Sequence, residues 1–162
     1  MVQLENPDAQ RDITGLVTAC RRNRGYDSRT LTPATWRVLA EALVPEVNDD
    51  RASVIREGDN DRSLYFLESG LLRVYCSDNG SRLQLAVIVP GSVVGEGGFF
   101  APKLARSASV EAIEPSRVWK LAHDRFETMM SSHPAEALAL VMYVGGVMRG
   151  RMLSVAGRFS VI

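Results

Sequence analysis

An arginine, a serine, a carboxylate and several glycines fall within one short run of the chain, Gly95-Glu96-Gly97-Gly98 followed downstream by Arg106-Ser107-Ala108-Ser109-Val110. Glycine lets backbone N–H groups come close to an anion, and the start of a helical turn adds a favourable dipole there. Arginine offers a planar fork of donors that matches a phosphate, and Ser107 beside it adds a hydroxyl. Glu96 is out of place next to a bare phosphate, which repels it. The pattern becomes consistent when the ligand also carries hydroxyls that a carboxylate can accept from. That is the chemistry of a sugar phosphate or a nucleotide.

Other chemistries find little support. The two histidines, His123 and His133, lie outside the candidate strands and far from each other, so they do not form the clustered set a metal-binding barrel needs. No Ser-His-Asp or Cys-His set can be assembled, and no enzyme is expected. Cys20 and Cys76 are too few for an iron–sulfur cluster and are expected to be free and semi-buried. Lys+Arg 19 balances Asp+Glu 19, which removes the electrostatic footprint of non-specific nucleic-acid binding. With 162 residues, 46% hydrophobic and 23% charged, the chain reads as one soluble globular domain. It opens without a cationic, apolar leader, and its longest uncharged run, Ala137 to Met148, is too short to span a bilayer. A cytoplasmic protein without a membrane or metal partner is the expectation.

The elements that position the cassette follow from periodicity and turn signals. Asn6-Pro7 reads as a helix start, Ile13, Leu16, Val17 and Cys20 recur at helical spacing, and Arg21, Arg22, Arg24 and Gly25 close the helix. The basic cluster is read as a solvated helix end complementing the dipole. Thr32-Pro33 starts a second helix with Trp36, Leu39, Ala40 and Leu43 on its apolar stripe, stopped by Pro45. Short apolar runs then predict strands at Ala52–Arg56, Ser63–Glu68, Leu71–Cys76, Arg82–Val89, Val93–Val94, Ser107–Ile113 and Arg117–Leu121. Asn79-Gly80 is a hairpin signal. A short helix is expected from Asp124 to Ser131, and a longer one from Pro134 past Met152 that is apolar on nearly every side. Such a helix needs cover on both sides, by the barrel and by a second subunit or partner. Gly145-Gly146 inside it allows either a close approach or hinge, or is a tolerated weak spot. The single domain divides into an N-terminal helical segment 1–50, a β-barrel 51–122 with its cassette at 95–110, and C-terminal helices 123–162.

The run from Gly95 to Val110 resembles the phosphate-binding cassette of the cyclic nucleotide-binding domain family, Gly-Glu, a variable loop, then Arg-Ala/Ser-Ala-x-Val. Gly58-Asp59 and Leu64-Tyr65-Phe66-Leu67-Glu68-Ser69-Gly70 are similar to the family's Gly-Asp followed by Tyr-Phe-Ile-x-x-Gly. Gly80, Gly91, Phe126 and Pro134 also fall at family positions, so the resemblance covers roughly residues 33 to 152. It implies a mainly β fold, a jelly-roll barrel with N-terminal helices and a C-terminal two-helix lid. By the same resemblance Arg106 pairs with the cyclic phosphate, and Ser107 adds a hydroxyl and, with Ala108, completes the cassette. Glu96 accepts from the ribose 2′-OH, Gly95 and Gly97 present backbone to the ligand, and Val74, Leu85 and Val93 line the base pocket. Arg149 and Arg151 stand on the helix that supplies the family's lid, with a solvated state expected for both.

Two departures stand out. Gly97-Gly98 occupies a place where the family has a bulky apolar residue, which loosens the short helix; Phe99 and Phe100 either restore the packing or narrow the pocket. Lys103 adds a flexible cation near the phosphate loop. The implied function is a sensor for cAMP or cGMP that signals by moving its C-terminal helix toward an effector protein or a second copy. The alternative is a ligand-free interaction or dimerisation module in which the cassette is a relic. The helix-turn-helix domain of the family's transcription factors has no room after the long helix, so direct DNA recognition is not expected.

Overall fold

The computed structural model describes residues 11–159, with side chains through residue 154. The helix start at Asn6-Pro7 lies outside the described residues; within them α1 is Thr14–Arg22. After a 3-10 turn at Ser28–Thr30, α2 runs Pro33–Ala42, and the Thr32 hydroxyl accepts from the Thr35 N–H at its start. Pro at the first turn costs this helix nothing, because that N–H has no intrahelical acceptor.

Eight strands follow: β1 Val44–Asn48, β2 Ser53–Ile55, β3 Leu64–Ser69, β4 Leu72–Asp78, β5 Ser81–Ile88, β6 Val93–Val94, β7 Ser109–Ala112 and β8 Ser116–Leu121. Helix α3, Glu96–Phe100, interrupts them; α4, His123–Ser132, and α5, Pro134–Phe159, complete the described chain. The strands form two antiparallel four-stranded sheets, ordered β1-β8-β3-β6 and β2-β7-β4-β5. This is the mainly β jelly-roll architecture with flanking helices that the sequence implies. Asn79 and Gly80 both take positive φ, 48° and 82°, which gives the β4–β5 hairpin its tight turn.

One division of the first segment needs correction. Residues 1–50 are not helical throughout, because β1 pairs antiparallel with β8 from Val44↔Lys120 to Asn48↔Ser116. Pro45 does follow the end of α2, but it sits in a strand at the edge of its sheet, where a missing N–H leaves no ladder bond unmade.

Two cores share the β1-β8-β3-β6 sheet as a wall. On one face Leu64 and Phe66 of β3, with Trp119 and Leu121 of β8, pack against Leu16, Trp36, Leu39, Phe126, Leu140 and Val144 of the helices. On the other, Tyr65, Leu67 and Val118 meet Ile55, Leu72, Ile88 and Val110 of the second sheet. A strand buried on both faces reads as a continuous apolar run rather than an alternation, which explains Leu64-Tyr65-Phe66-Leu67. Cys20 and Cys76 are both free, and burial pushes the Cys20 thiol up to about 11.

Helix α5 buries Ala137, Leu140, Tyr143, Val144 and Val147, and Tyr143 donates its hydroxyl to Gly91 O at 2.8 Å. Its outer face leaves Leu138, Met142, Met152 and Leu153 more than half exposed. A Cβ at Gly145 or Gly146 would meet no atom of another element within 4 Å among the described residues, so these glycines serve no close approach there. Among the described residues no helix is long and apolar enough to cross a membrane.

Candidate functional site

Arg106 is the anchor of the site. It is 4% exposed, and its guanidinium donates to Gly95 O at 2.7 Å, Ser63 O at 2.6 Å and Asp61 Oδ2 at 2.9 Å. Its Nε has no hydrogen-bond partner. A buried cation costs several kcal/mol unless it is paired, by about 3–5 kcal/mol when one partner of a buried pair is lost. Asp61 is therefore the carboxylate that pairs with Arg106, and sequence reasoning missed it. Ser63 Oγ donates to its other oxygen at 2.9 Å, which fixes the carboxylate toward Arg106. Burial alone would raise the Asp61 carboxyl, but hydrogen bonds from Arg106 and Ser63 outweigh it and hold the group below its usual range. The Gly58-Asp59 motif also finds its role here: Arg106 N–H donates to Asp59 O and Gly58 N–H donates to Arg106 O, both at 2.8 Å.

Two glycines make this seat. Gly95 precedes α3 with φ 92°, and a Cβ there would lie 2.8 Å from Ser63 O and 3.0 Å from Arg106 Nη1. A Cβ at Gly98 would lie 2.9 Å from Arg106 Nη1 and 3.2 Å from its Cδ. Gly98 is thus a clearance for the arginine, which accounts for that half of the Gly97-Gly98 departure. Gly97 is exposed, with open space where a Cβ would be.

The turn is anchored through its aromatics. The buried Phe99 ring packs against Phe126 of α4 at 5.0 Å and His123 at 5.2 Å, and it meets Phe100 edge-on at 5.2 Å. Neither phenylalanine lines the cavity, so the pair restores packing and does not narrow the pocket. Arg62 reinforces the junction, donating to Phe99 O at 3.1 Å and to His123 Nε2 at 2.7 Å. The opposite ring nitrogen, Nδ1, lies 3.3 Å from Glu127 Oε1, which fits a neutral ring accepting at Nε2 and donating at Nδ1.

A cavity of about 220 Å³ opens beside the arginine, and its walls include Ile55, Val74, Leu85, Val94, Gly95, Glu96, Gly97, Gly98, Arg106, Ser107, Ala108, Val110 and Arg151. The structure thus brings Gly95, Glu96, Gly97, Arg106, Ser107, Ala108, Val74 and Leu85 to one cavity. It does not bring Val93. That side chain faces the helical core, and Val94 takes the place on the cavity wall. Successive strand residues point to opposite faces, so a register error of one residue exchanges them. Strand β7 begins at Ser109 and not at Ser107, which leaves Ser107 exposed on the loop facing the cavity.

Arg151 is not solvated. Its guanidinium donates to Glu96 Oε1 at 2.7 Å, to Ser92 Oγ at 3.1 Å and to Val93 O. Among the described residues the other oxygen of Glu96 receives no side-chain donor. Arg149 is exposed, as expected. The cavity wall therefore carries two guanidiniums and one carboxylate, with the Asp61 carboxylate paired to Arg106 behind it, above an apolar floor of Ile55, Val74, Val94 and Val110.

A jelly roll in which a short glycine-flanked helix and a buried arginine face an apolar floor is the architecture of a regulatory ligand-binding domain. Residues 49–133 match the family model described as cyclic nucleotide-binding domain, and the chain belongs to that family. Among solved structures it is similar to a cyclic nucleotide-binding domain from Methylobacillus flagellatus, with TM-score 0.74, 19% identity, and coverage of 78% of this chain and 71% of that one. The N-terminal domain of a transcriptional regulator from Streptomyces coelicolor shares 25% identity, with TM-score 0.67 over 81% of this chain and 92% of that one. The catabolite activator protein of Thermus thermophilus has TM-score 0.66 and 22% identity over 80% of this chain and 61% of that one. Among curated proteins none matches the sequence.

Proposed function

We propose that the protein is a cyclic nucleotide sensor, binding cAMP or cGMP in the cassette cavity and passing occupancy through its C-terminal helix to a partner, without catalysis. The observation that carries this reading is that a buried guanidinium, an exposed serine hydroxyl and a carboxylate with one oxygen free of side-chain donors among the described residues wall one cavity over an apolar floor. A cyclic phosphodiester is a monoanion, and its ribose keeps one free hydroxyl. Arg106 and Ser107 meet the first group, and the free oxygen of Glu96 accepts from the second. The apolar floor takes the sugar face and the base.

The same contacts provide a route for the signal. A phosphate that draws on Arg106 shifts α3, whose Phe99 is packed on Phe126 and tied through Arg62 to His123 of α4. Helix α4 packs on α5, so displacement of the cassette reaches the long helix. The exposed apolar face of α5, with Leu138, Met142 and Met152, is the surface offered to an effector protein or a second copy.

Isothermal titration with cAMP and cGMP, with AMP as the dianionic control, tests the reading. Arg106→Ala is expected to cut affinity by about two orders of magnitude, or about 2.7 kcal/mol. Undiminished affinity in that variant sinks the assignment of Arg106. In parallel, cyclic nucleotide at a hundred times its dissociation constant adds about 2.7 kcal/mol to stability. A melting temperature that ignores both nucleotides favours an interaction module with a relic cassette.

A further inference from the structure

We propose that the groove between α1 and α2 is a second ligand site, which takes an amphipathic organic anion: an apolar ring system or short acyl chain ending in an oxyanion. The proposal is independent of the cyclic nucleotide reading, since the groove and the cassette cavity have no wall residue in common.

Helical spacing builds the groove. Ile13, Val17 and Arg21 recur every fourth residue along α1, and Trp36 and Ala40 do so on α2, which sets each group on one face of its helix. These faces meet around a groove of about 440 Å³, inside the range of about 300–1,000 Å³ common for small-ligand sites. Ile13, Trp36 and Ala40 are buried and Val17 packs against the same helical core, so the floor is apolar and rests on packed side chains.

Cations ring this floor. Arg11, Arg21 and Arg37 are exposed, and all three line the groove. Arg11 is anchored by donating to Leu43 O at the end of α2. Among the described residues neither Arg21 nor Arg37 makes an ion pair. The one carboxylate on the wall, Asp12, has Oδ1 engaged by the Thr14 N–H at 2.9 Å, and Glu41, one turn beyond Arg37, is not part of the wall. The whole chain balances Lys+Arg 19 with Asp+Glu 19, so the cationic rim is a local feature and not the by-product of a basic protein. Water alone satisfies arginines on an open surface. Around an apolar floor they are matched by a ligand that lays its apolar body against Trp36 and turns an oxyanion to the guanidinium forks. A neutral apolar ligand leaves the rim unused, and inorganic phosphate leaves the floor unused.

Fluorescence titration of the full chain with anilinonaphthalene sulfonate and with phenylnaphthylamine, the same aromatic body without the sulfonate, tests the site. The sulfonate is expected to bind about tenfold more tightly than the neutral dye. Arg21→Glu and Arg37→Glu are each expected to weaken the sulfonate about tenfold and to leave the neutral dye unchanged. Arg149→Glu, on the exposed side of α5, is the control for dye on that apolar surface and is expected to change neither. Equal affinity for the two dyes, no binding of either, or a loss in Arg149→Glu as large as in Arg21→Glu overturns the site. Displacement of the sulfonate by cAMP or cGMP would assign the dye to the cassette cavity, which also overturns the groove while leaving the sensor reading standing.

Discussion

Two arginines border the same cavity from distant parts of the chain, and they are held in opposite ways. The Arg106 side chain is 3% exposed and bonded to a carboxylate and two carbonyls, whereas the Arg151 side chain is 25% exposed on a helix whose next residues, Met152 and Leu153, face water. Withdrawing Arg106 would strand the Gly95 and Ser63 carbonyls and leave the partly exposed Asp61 carboxylate without its cation. Withdrawing Arg151 would strand the buried Ser92 Oγ and Val93 O but leave the Glu96 carboxylate partly in water. The same residue type is thus locked in the interior at one end and held nearer the surface at the other. Burial and the number of rigid acceptors set that difference, since the guanidinium itself is identical.

Attacking the fixed end gives the largest expected effect. Asp61→Ala removes the one carboxylate paired with Arg106 and is expected to cost about 2–3 kcal/mol, below the range for a fully buried pair because the Asp61 side chain is 42% exposed. Chemical denaturation at neutral pH reads it. The folded carboxyl is held below its unfolded pKa, so its contribution is fully present above the unfolded value and fades as pH falls through the folded one. The stability difference between wild type and Asp61→Ala is therefore expected to shrink in acid, and a difference independent of pH would contradict the pairing.

Gly98→Ala probes the same end more gently. The added methyl pushes on Arg106 Nη1, and a cyclic nucleotide affinity about tenfold lower, near 1.4 kcal/mol, is expected by titration. Equal affinity would mean that the guanidinium is not confined as described. The smallest effect belongs to the exposed end. Gly145→Ala fills open space on the exposed face of α5 and is expected to stabilise the helix by about 1 kcal/mol, read as a higher melting temperature with ligand affinity unchanged. A marked loss of affinity would show that α5 needs flexibility at that point.

Much of this was legible before any coordinates. Asn79-Gly80 fixed a hairpin through local φ preferences, and Thr32-Pro33 fixed a helix start through local hydrogen bonding. Strand β1 was not legible, because Val44-Pro45 ends a helix and begins an edge strand in adjacent residues, and only its pairing with β8 separates the two. Val93 and Val94 are chemically equivalent, so which of them reaches the cavity depended on which face of a doubly buried sheet the helices cover.

The sequence by itself determined the donor and acceptor set of the cassette, since glycines, a carboxylate and an arginine-serine pair lie within one short run. It also determined the order of helices and strands apart from β1, which follows from local periodicity. Tertiary structure decided the partners. Asp61 is 45 residues from Arg106 and Glu96 is 55 from Arg151. Nothing local marks such pairs, because an ion pair depends on distance through space, and that distance is set by how the two sheets and α5 close around the cavity.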